Sequence, residues 1–228
     1  MQTSSIINII NKLNKNSFKD NIIKHSISNN VEFAHIWIKE KYNSNIPYNF
    51  FLIRNDVEYV GAVLDMTIDL HWVILPRHRR KGYLKNALKG SILPYIFDHL
   101  DRDEQKISID IDETGIKNYN SSLNCALKVG FKKIDDKNLL IDVDDFDFSN
   151  LDMKLVHNGL DENEIQKELL ELELAAKKVY QINSKIEMSF GVKTENYLKP
   201  SLDEISRKIS YFKTVIEDIQ HDYIMNKD

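Results

Sequence analysis

The run Ile74-Leu75-Pro76-Arg77-His78-Arg79-Arg80-Lys81-Gly82-Tyr83-Leu84 joins a β-branched apolar segment to a helical pattern through a basic loop that contains a glycine. A strand ending in such a loop and opening a helix presents free backbone N–H groups and the positive end of the helix dipole to one point, which suits a pyrophosphate. Gly82 lets the backbone approach a ligand closely, while Arg79, Arg80 and Lys81 supply charge for phosphates. A solvated basic turn has the same composition, so the loop gains meaning only in company. A second group lies downstream, where Asn118-Tyr119-Asn120-Ser121-Ser122 leads into a short helical stretch ending Lys128-Val129-Gly130-Phe131. Asn120 or Ser121 can cap that helix, and a side-chain amide there could hydrogen-bond an extended, amide-bearing ligand; ordinary capping uses the same residues.

These groups need a frame to hold them. Thr67–Leu75 sorts by strand parity, with Ile68, Leu70, Trp72 and Ile74 on one face and Thr67, Asp69, His71 and Val73 on the other. One face is expected in the core and the other along a cleft. Pro76 ends that strand, and from Tyr83 to Leu100 the residues Leu84, Leu88, Ile92, Ile96 and Leu100 recur every four, giving a helix bent near Pro94. Before the strand, Ser4–Leu13 and Val31–Tyr42 read as amphipathic helices, and Asn49–Arg54 with Glu58–Leu64 as a hairpin turning at Asn55-Asp56. After the helix, Gln105–Asp112 alternates as a strand, Ser121–Val129 is a helix with Gly130 as its C-terminal cap, and Phe131–Ile134, Leu139–Val143 and Leu151–Val156 are short strands. This alternation describes an α/β domain with a mixed central sheet flanked by helices.

In their order and spacing the two chemical groups resemble the Gcn5-related N-acetyltransferase superfamily. Arg79-x-x-Gly82-x-Leu84 is similar to its acetyl-CoA signature, and Asn120–Phe131 (NSSLNCALKVGF) to its later Asn/Ser-helix-Gly-Phe motif. The likeness covers roughly 49–156 and is nearest to the branch that acetylates ribosomal-protein termini. It implies the acyl-CoA N-acyltransferase fold, with acetyl-CoA as co-substrate. Backbone groups of Trp72 and Ile74 would pair with the pantetheine arm, the stretch Arg79, Arg80, Lys81, Gly82, Tyr83 and Leu84 would hold the pyrophosphate and 3'-phosphate, and Asn120 would bind the cofactor's amides. Leu84 departs from the family by replacing a small residue. Ala126 stands where many members have a tyrosine that protonates the departing thiolate, leaving Ser122 to hold a water in that role. A thiol with a pKa of ~8.5 leaves readily at neutral pH, whereas an amine with a pKa of ~10.4 must lose a proton before it attacks. By the same resemblance Asp69, with His71 two residues on, is the candidate base. Cys125, the single cysteine, falls within a helix, so direct attack in a ternary complex is expected rather than a covalent intermediate. The alternative is a non-catalytic acyl-CoA-binding or protein-interaction domain of the same fold.

Composition narrows the partners. A net charge of -4 with a pI near 6.0 provides no chain-wide positive field for nucleic acid or anionic membrane. No segment reaches the ~20 apolar residues of a membrane span, and Met1–Phe18 lacks the basic leader and apolar run of a signal peptide. One cysteine allows no intrachain disulfide and no metal site is expected, so a cytoplasmic location follows. The acceptor, a small amine or a peptide, is left to the loops 15–30 and 135–150, of which the acidic run Asp142–Asp147 could attract a cation. The pattern changes near residue 159, separating a 1–158 acyltransferase domain from a 159–228 extension. There Ile165, Leu169, Leu172, Ala176 and Val179, then Leu202, Ile205, Ile209, Phe212, Ile216 and Ile219, form two heptad-like stripes. Asp161 with Glu164 and Ser201 with Glu204 have capping-box spacing, predicting an αα-hairpin of two helices of about twenty residues that serves a homodimer or a protein partner.

Overall fold

Val31–Trp37 is a strand, not the start of a helix, and the reason shapes the whole sheet. Val31 and Phe33 point into one apolar core, Ala34 and Ile36 into a second on the opposite face. A strand buried on both sides loses its polar alternation, so Phe33, Ile36 and Trp37 fall by coincidence at helical spacing. The computed structural model describes residues 1–18, 21–38, 45–197 and 199–226; the remainder of the expected helix, from 39 to 42, lies outside them. The chain divides into two units, Met1–Val156 and His157–Asp228.

In the first unit helix α1 (Thr3–Asn14) precedes five antiparallel strands in sequence order, β1 (Asn21–Ser26), β2 (Val31–Trp37), β3 (Tyr48–Arg54), β4 (Tyr59–Asp65) and β5 (Leu70–Ile74). The β3–β4 hairpin turns on Asn55, whose side chain accepts the N–H groups of Val57 and Glu58. The stretch taken as an acceptor loop thus contributes an edge strand, β1. Helix α1 lays Ile6, Ile9 and Ile10 on one face of the sheet, over Leu52, Leu64, Val73 and Leu75.

The other face is covered by a helical segment from Tyr83 to Asp98: α2 (Tyr83–Ala87), one π-helical turn (Leu88–Ile92) and α3 (Leu93–Asp98). The irregularity lies one turn before Pro94 because proline has no N–H to offer Gly90 O. That carbonyl accepts Asp152 N–H instead, at 2.8 Å. The segment 151–156 makes no strand ladder; it is tied by this bond and by Lys154 N–H to Ile27 O.

β6 (Glu104–Ser108), β7 (Lys132–Lys133) and β8 (Asn138–Asp142) form a second antiparallel sheet in the order β6-β8-β7. β6 ends at Ser108, short of the expected Asp112, because Asp110 caps a one-turn helix, α4 (Ile111–Thr114). Helix α5 (Ile116–Val129) then begins five residues earlier than expected and absorbs Asn118 and Asn120 into its first turns.

The two sheets meet through a parallel bridge, Asp69 to Lys106. Around it sits a buried polar knot. Arg102 donates to both carboxylate oxygens of Asp65 (3.0 and 2.7 Å) and to Gln105 Oε1 (2.8 Å), while Gln105 Nε2 donates to Ile68 O and Lys106 O. Asp65 also accepts Thr67 N–H, holding Thr67 at φ 70 in the turn that starts β5 three residues later than its sequence suggests. The result is a mixed α/β unit with a five-stranded and a three-stranded sheet joined at one end.

In the second unit α6 (Glu162–Phe190) and α7 (Leu202–Met225) run longer than the expected twenty residues. Both capping boxes form, Asp161 with Glu164 and Ser201 with Glu204. No described helix of the chain is long and apolar enough to cross a membrane.

Arg102→Met should cost about 3–5 kcal/mol of unfolding free energy, because it strands the fully buried Asp65 carboxylate without its cation. Urea unfolding of the variant against wild type measures this; a change under ~1 kcal/mol would show that the knot is dispensable.

Candidate functional site

The geometry of β5 decides which of its groups are free. Leu75 N–H donates to Val60 O, so by the two-residue period of an antiparallel ladder the amides of His71 and Val73 face β4. Those of Trp72 and Ile74 therefore face the opposite edge, toward β6. The knot and the Asp69–Lys106 bridge hold β6 close only at the start of β5, and β6 ends at Ser108. Beyond that point, among the described residues, no strand pairs with the Trp72–Ile74 edge.

Helix α5 and the basic loop flank this edge. Trp72 Nε1 donates to Ser122 Oγ on α5 at 3.3 Å, and Arg79 Nε donates to Ile74 O at 3.1 Å while its Nη1 reaches Asn118 Oδ1 at 3.4 Å. Trp72, Ile74 and Arg79, expected to bind the cofactor, are thus brought together with Ser122, and Asn118 joins them. Asn120 does not: it is an exposed residue of α5, where the helix begins at Gly115 with no side-chain cap. Ser121 likewise caps nothing and bonds back to Lys117 O.

The loop itself is anchored at its base. Arg77 and His78 both bond Glu58 on the rim of β4, His78 through Nε2 at 3.0 Å, and His78 is buried against Tyr83. These two side chains are spent on the scaffold, which leaves Arg79, Arg80 and Lys81 exposed at the tip. Arg80 has φ 61 and Gly82 φ 83. For arginine the left-handed conformation costs roughly 1–2 kcal/mol. Such turns gather successive N–H groups into an anion-binding concavity. The first helical bond of α2 is Asn86 N–H to Gly82 O, so Tyr83, Leu84 and Lys85 have no helical acceptor, and none among the described residues takes the N–H groups of Arg80, Lys81 or Gly82. A Cβ on Gly82 would meet only the Asn86 side chain, at 3.6 Å, so glycine is required there by φ rather than by space. Tyr83 and Leu84 are half-buried against the core, so Leu84 is turned partly away from the loop.

The candidate bases lie elsewhere. Asp69 Oδ1 accepts Ser108 N–H at 2.8 Å, which makes it part of the splice between the sheets. His71 shares the face of Val73, beneath α1, and its Nε2 lies 3.1 Å from Thr3 Oγ1. The expected cleft on that face is therefore covered by α1. Burial pushes the His71 imidazole below its ordinary pKa, helped by the positive amino terminus and opposed by Asp69 and Glu113. Ala126 is fully buried, and burial raises the Cys125 thiol to about 11, leaving it protonated and a poor nucleophile at neutral pH. Asp65, Arg102 and Glu58, which position the site, went unseen in the sequence because no local pattern links residues that far apart.

Compared with models of known families, with curated proteins and with solved structures, the chain matches none.

A depressed histidine pKa means that the unfolded chain binds its proton first as pH falls. His71 therefore contributes no pH dependence above about 6.5 and lowers stability as pH drops below that value toward its folded pKa. The loss of urea midpoint between pH 7 and pH 5 should be smaller in His71→Gln than in wild type; parallel pH profiles would count against a buried neutral imidazole.

Proposed function

We propose that the first unit is an acyl-CoA N-acyltransferase domain that binds acetyl-CoA and transfers its acetyl group to a primary amine by direct attack. The observation that carries this reading is the unpaired Trp72–Ile74 edge running straight into the concavity of free N–H groups at Arg80–Leu84. An extended pantetheine arm has amides that pair with such an edge as a peptide adds to a sheet, and a pyrophosphate suits the concavity. The strand order supports the same reading: five strands, a covering helix, then β6, α5, β7 and β8, with β5 and β6 joined by a parallel bridge.

Arg79 acts as a stand-in for the absent arm, since its Nε holds Ile74 O in the free protein. Entry of a pantetheine amide displaces the guanidinium, which then reaches the phosphates. Ser122 stands beside Trp72 on the thioester side and can hold a water at the departing thiolate. His71 lies beneath α1 on the face of β5 opposite Trp72, so any proton it takes from the amine reaches it through water.

A second reading is favoured by specific contacts: Asp69 is engaged by Ser108, His71 lies under α1, and Ala126 offers no phenol. On that reading the domain binds acyl-CoA without turning it over.

Coenzyme at about 100 times its Kd stabilises a protein by about 2.7 kcal/mol, which for a unit of this size raises Tm by roughly 5–10 °C. Acetyl-CoA should give such a shift in a thermal melt, and Gly82→Val should abolish it while the unliganded Tm stays within a few degrees. Absence of any shift in wild type overturns the cofactor reading. With binding established, acetylation of an amine panel read by mass spectrometry separates the two readings. His71→Ala should lower turnover without altering the shift if the domain is an enzyme.

A further inference from the structure

Helix α7 carries a second stripe that α6 does not cover. It faces α6 with Ser206, whose Oγ donates to Ala176 O, and with Gln220, which donates to Glu162. Lys208, Tyr211, Phe212, Val215, Asp218, Ile219 and Asp222 recur every three or four residues on another face. Tyr211, Phe212 and Ile219 are 69%, 55% and 60% exposed. Large apolar groups concentrated on one helix face mark a contact surface.

The charges on α7 say what fits it. Beyond the capping turn, where Asp203 pairs with Arg207, the stretch from Ser206 to Asp222 has Arg207, Lys208 and Lys213 before Val215 and Glu217, Asp218 and Asp222 after it. Lys208 and Asp222 stand seven residues to either side of Val215, and Tyr211 and Ile219 four. A helix whose charge reverses about its midpoint complements an antiparallel copy of itself, so the two-fold operation sets each residue against its counterpart. Lys208 and Asp222 cannot meet within one helix, since fourteen residues of α-helix span about 21 Å. Among the described residues neither enters an ion pair. Helix α6 shows the same bias: its first half holds Glu162, Glu164, Glu168, Glu171 and Glu173 against Lys167, its second Lys177, Lys178 and Lys185 against Glu187. Antiparallel packing in the hairpin places the two acidic halves side by side, where like charges repel unless something basic faces them.

We infer that α7 is the two-fold interface of a homodimer. Two hairpins pair antiparallel, with Val215 at the axis, Tyr211 and Phe212 against Ile219 of the partner subunit, and Lys208 against Asp222 of the partner subunit. The acidic end of each hairpin lies over the basic end of the other. This inference is independent of the acetyl-transfer reading, because it uses the second unit alone.

Sedimentation of the full chain from about 1 to 100 μM should show reversible dimerisation, and Lys208→Asp or Asp222→Lys alone should weaken it about tenfold, two symmetry-related ion pairs having become repulsions. The double reversal Lys208→Asp/Asp222→Lys should restore affinity to within a few-fold of wild type, since the pairs re-form with exchanged signs. Ile219→Asp should give a monomer with unchanged helical circular dichroism. A wild type that stays monomeric at the highest concentration overturns the inference. So does a double reversal no tighter than the single ones when circular dichroism shows both helices intact.

Discussion

The contact between Asp65 and Arg102 governs the arrangement of the first unit. A carboxylate with no exposed side-chain surface is tolerable only with its charge matched, and Arg102 matches it through both oxygens. The pair ties the end of β4 to the segment entering β6, and Gln105 extends the tie to the backbone of Ile68. Through it β5 and β6 are fixed together at one end only. Because β6 ends at Ser108, two residues past the bridge, the Trp72–Ile74 edge beyond it is left open.

A comparable division of labour runs through the basic loop. Arg77 and His78 lock to Glu58, so the loop's base is rigid, while Arg80 and Gly82 in left-handed conformations turn its N–H groups outward. Strain at a non-glycine residue persists where the surroundings over-determine it, and here the anchored base and the covering helix do so. Arg79 lies between these roles, bonded to the strand edge and to Asn118 but exposed enough to exchange partners.

The hairpin obeys simpler rules. Each helix start is closed by reciprocal side-chain and backbone bonds, and the α6 C-terminus is closed by Gly191 at φ 65. Near that end, buried Asn183 accepts from Thr194, whose backbone is held by Glu187, which fixes where the chain turns back. The inward faces mix apolar and polar groups, Ile165, Leu169 and Ala176 with Asn183 and Ser206. What distinguishes the unit is the reversal of charge along each helix.

Sequence alone determined the features whose causes are local: the α1 helix, the β3–β4 hairpin turning on Asn55, the strand-to-helix passage through the basic loop, and both capping boxes with the two helices they start. Each depends on residues within a turn or two of one another, where propensity and hydrogen bonding act directly. Tertiary structure decided the rest. Val31–Trp37 became a strand because cores on both sides bury it, and α5 swallowed Asn120 because Asp110 started a new helical turn upstream. His71 and Trp72 are adjacent in sequence, yet one lies under α1 and the other reaches α5, a separation imposed by the pleat once both faces were covered. Asp65 and Arg102 could not be paired by inspection, because burial is a property of the folded whole and only there does an unpaired charge become costly enough to select its partner.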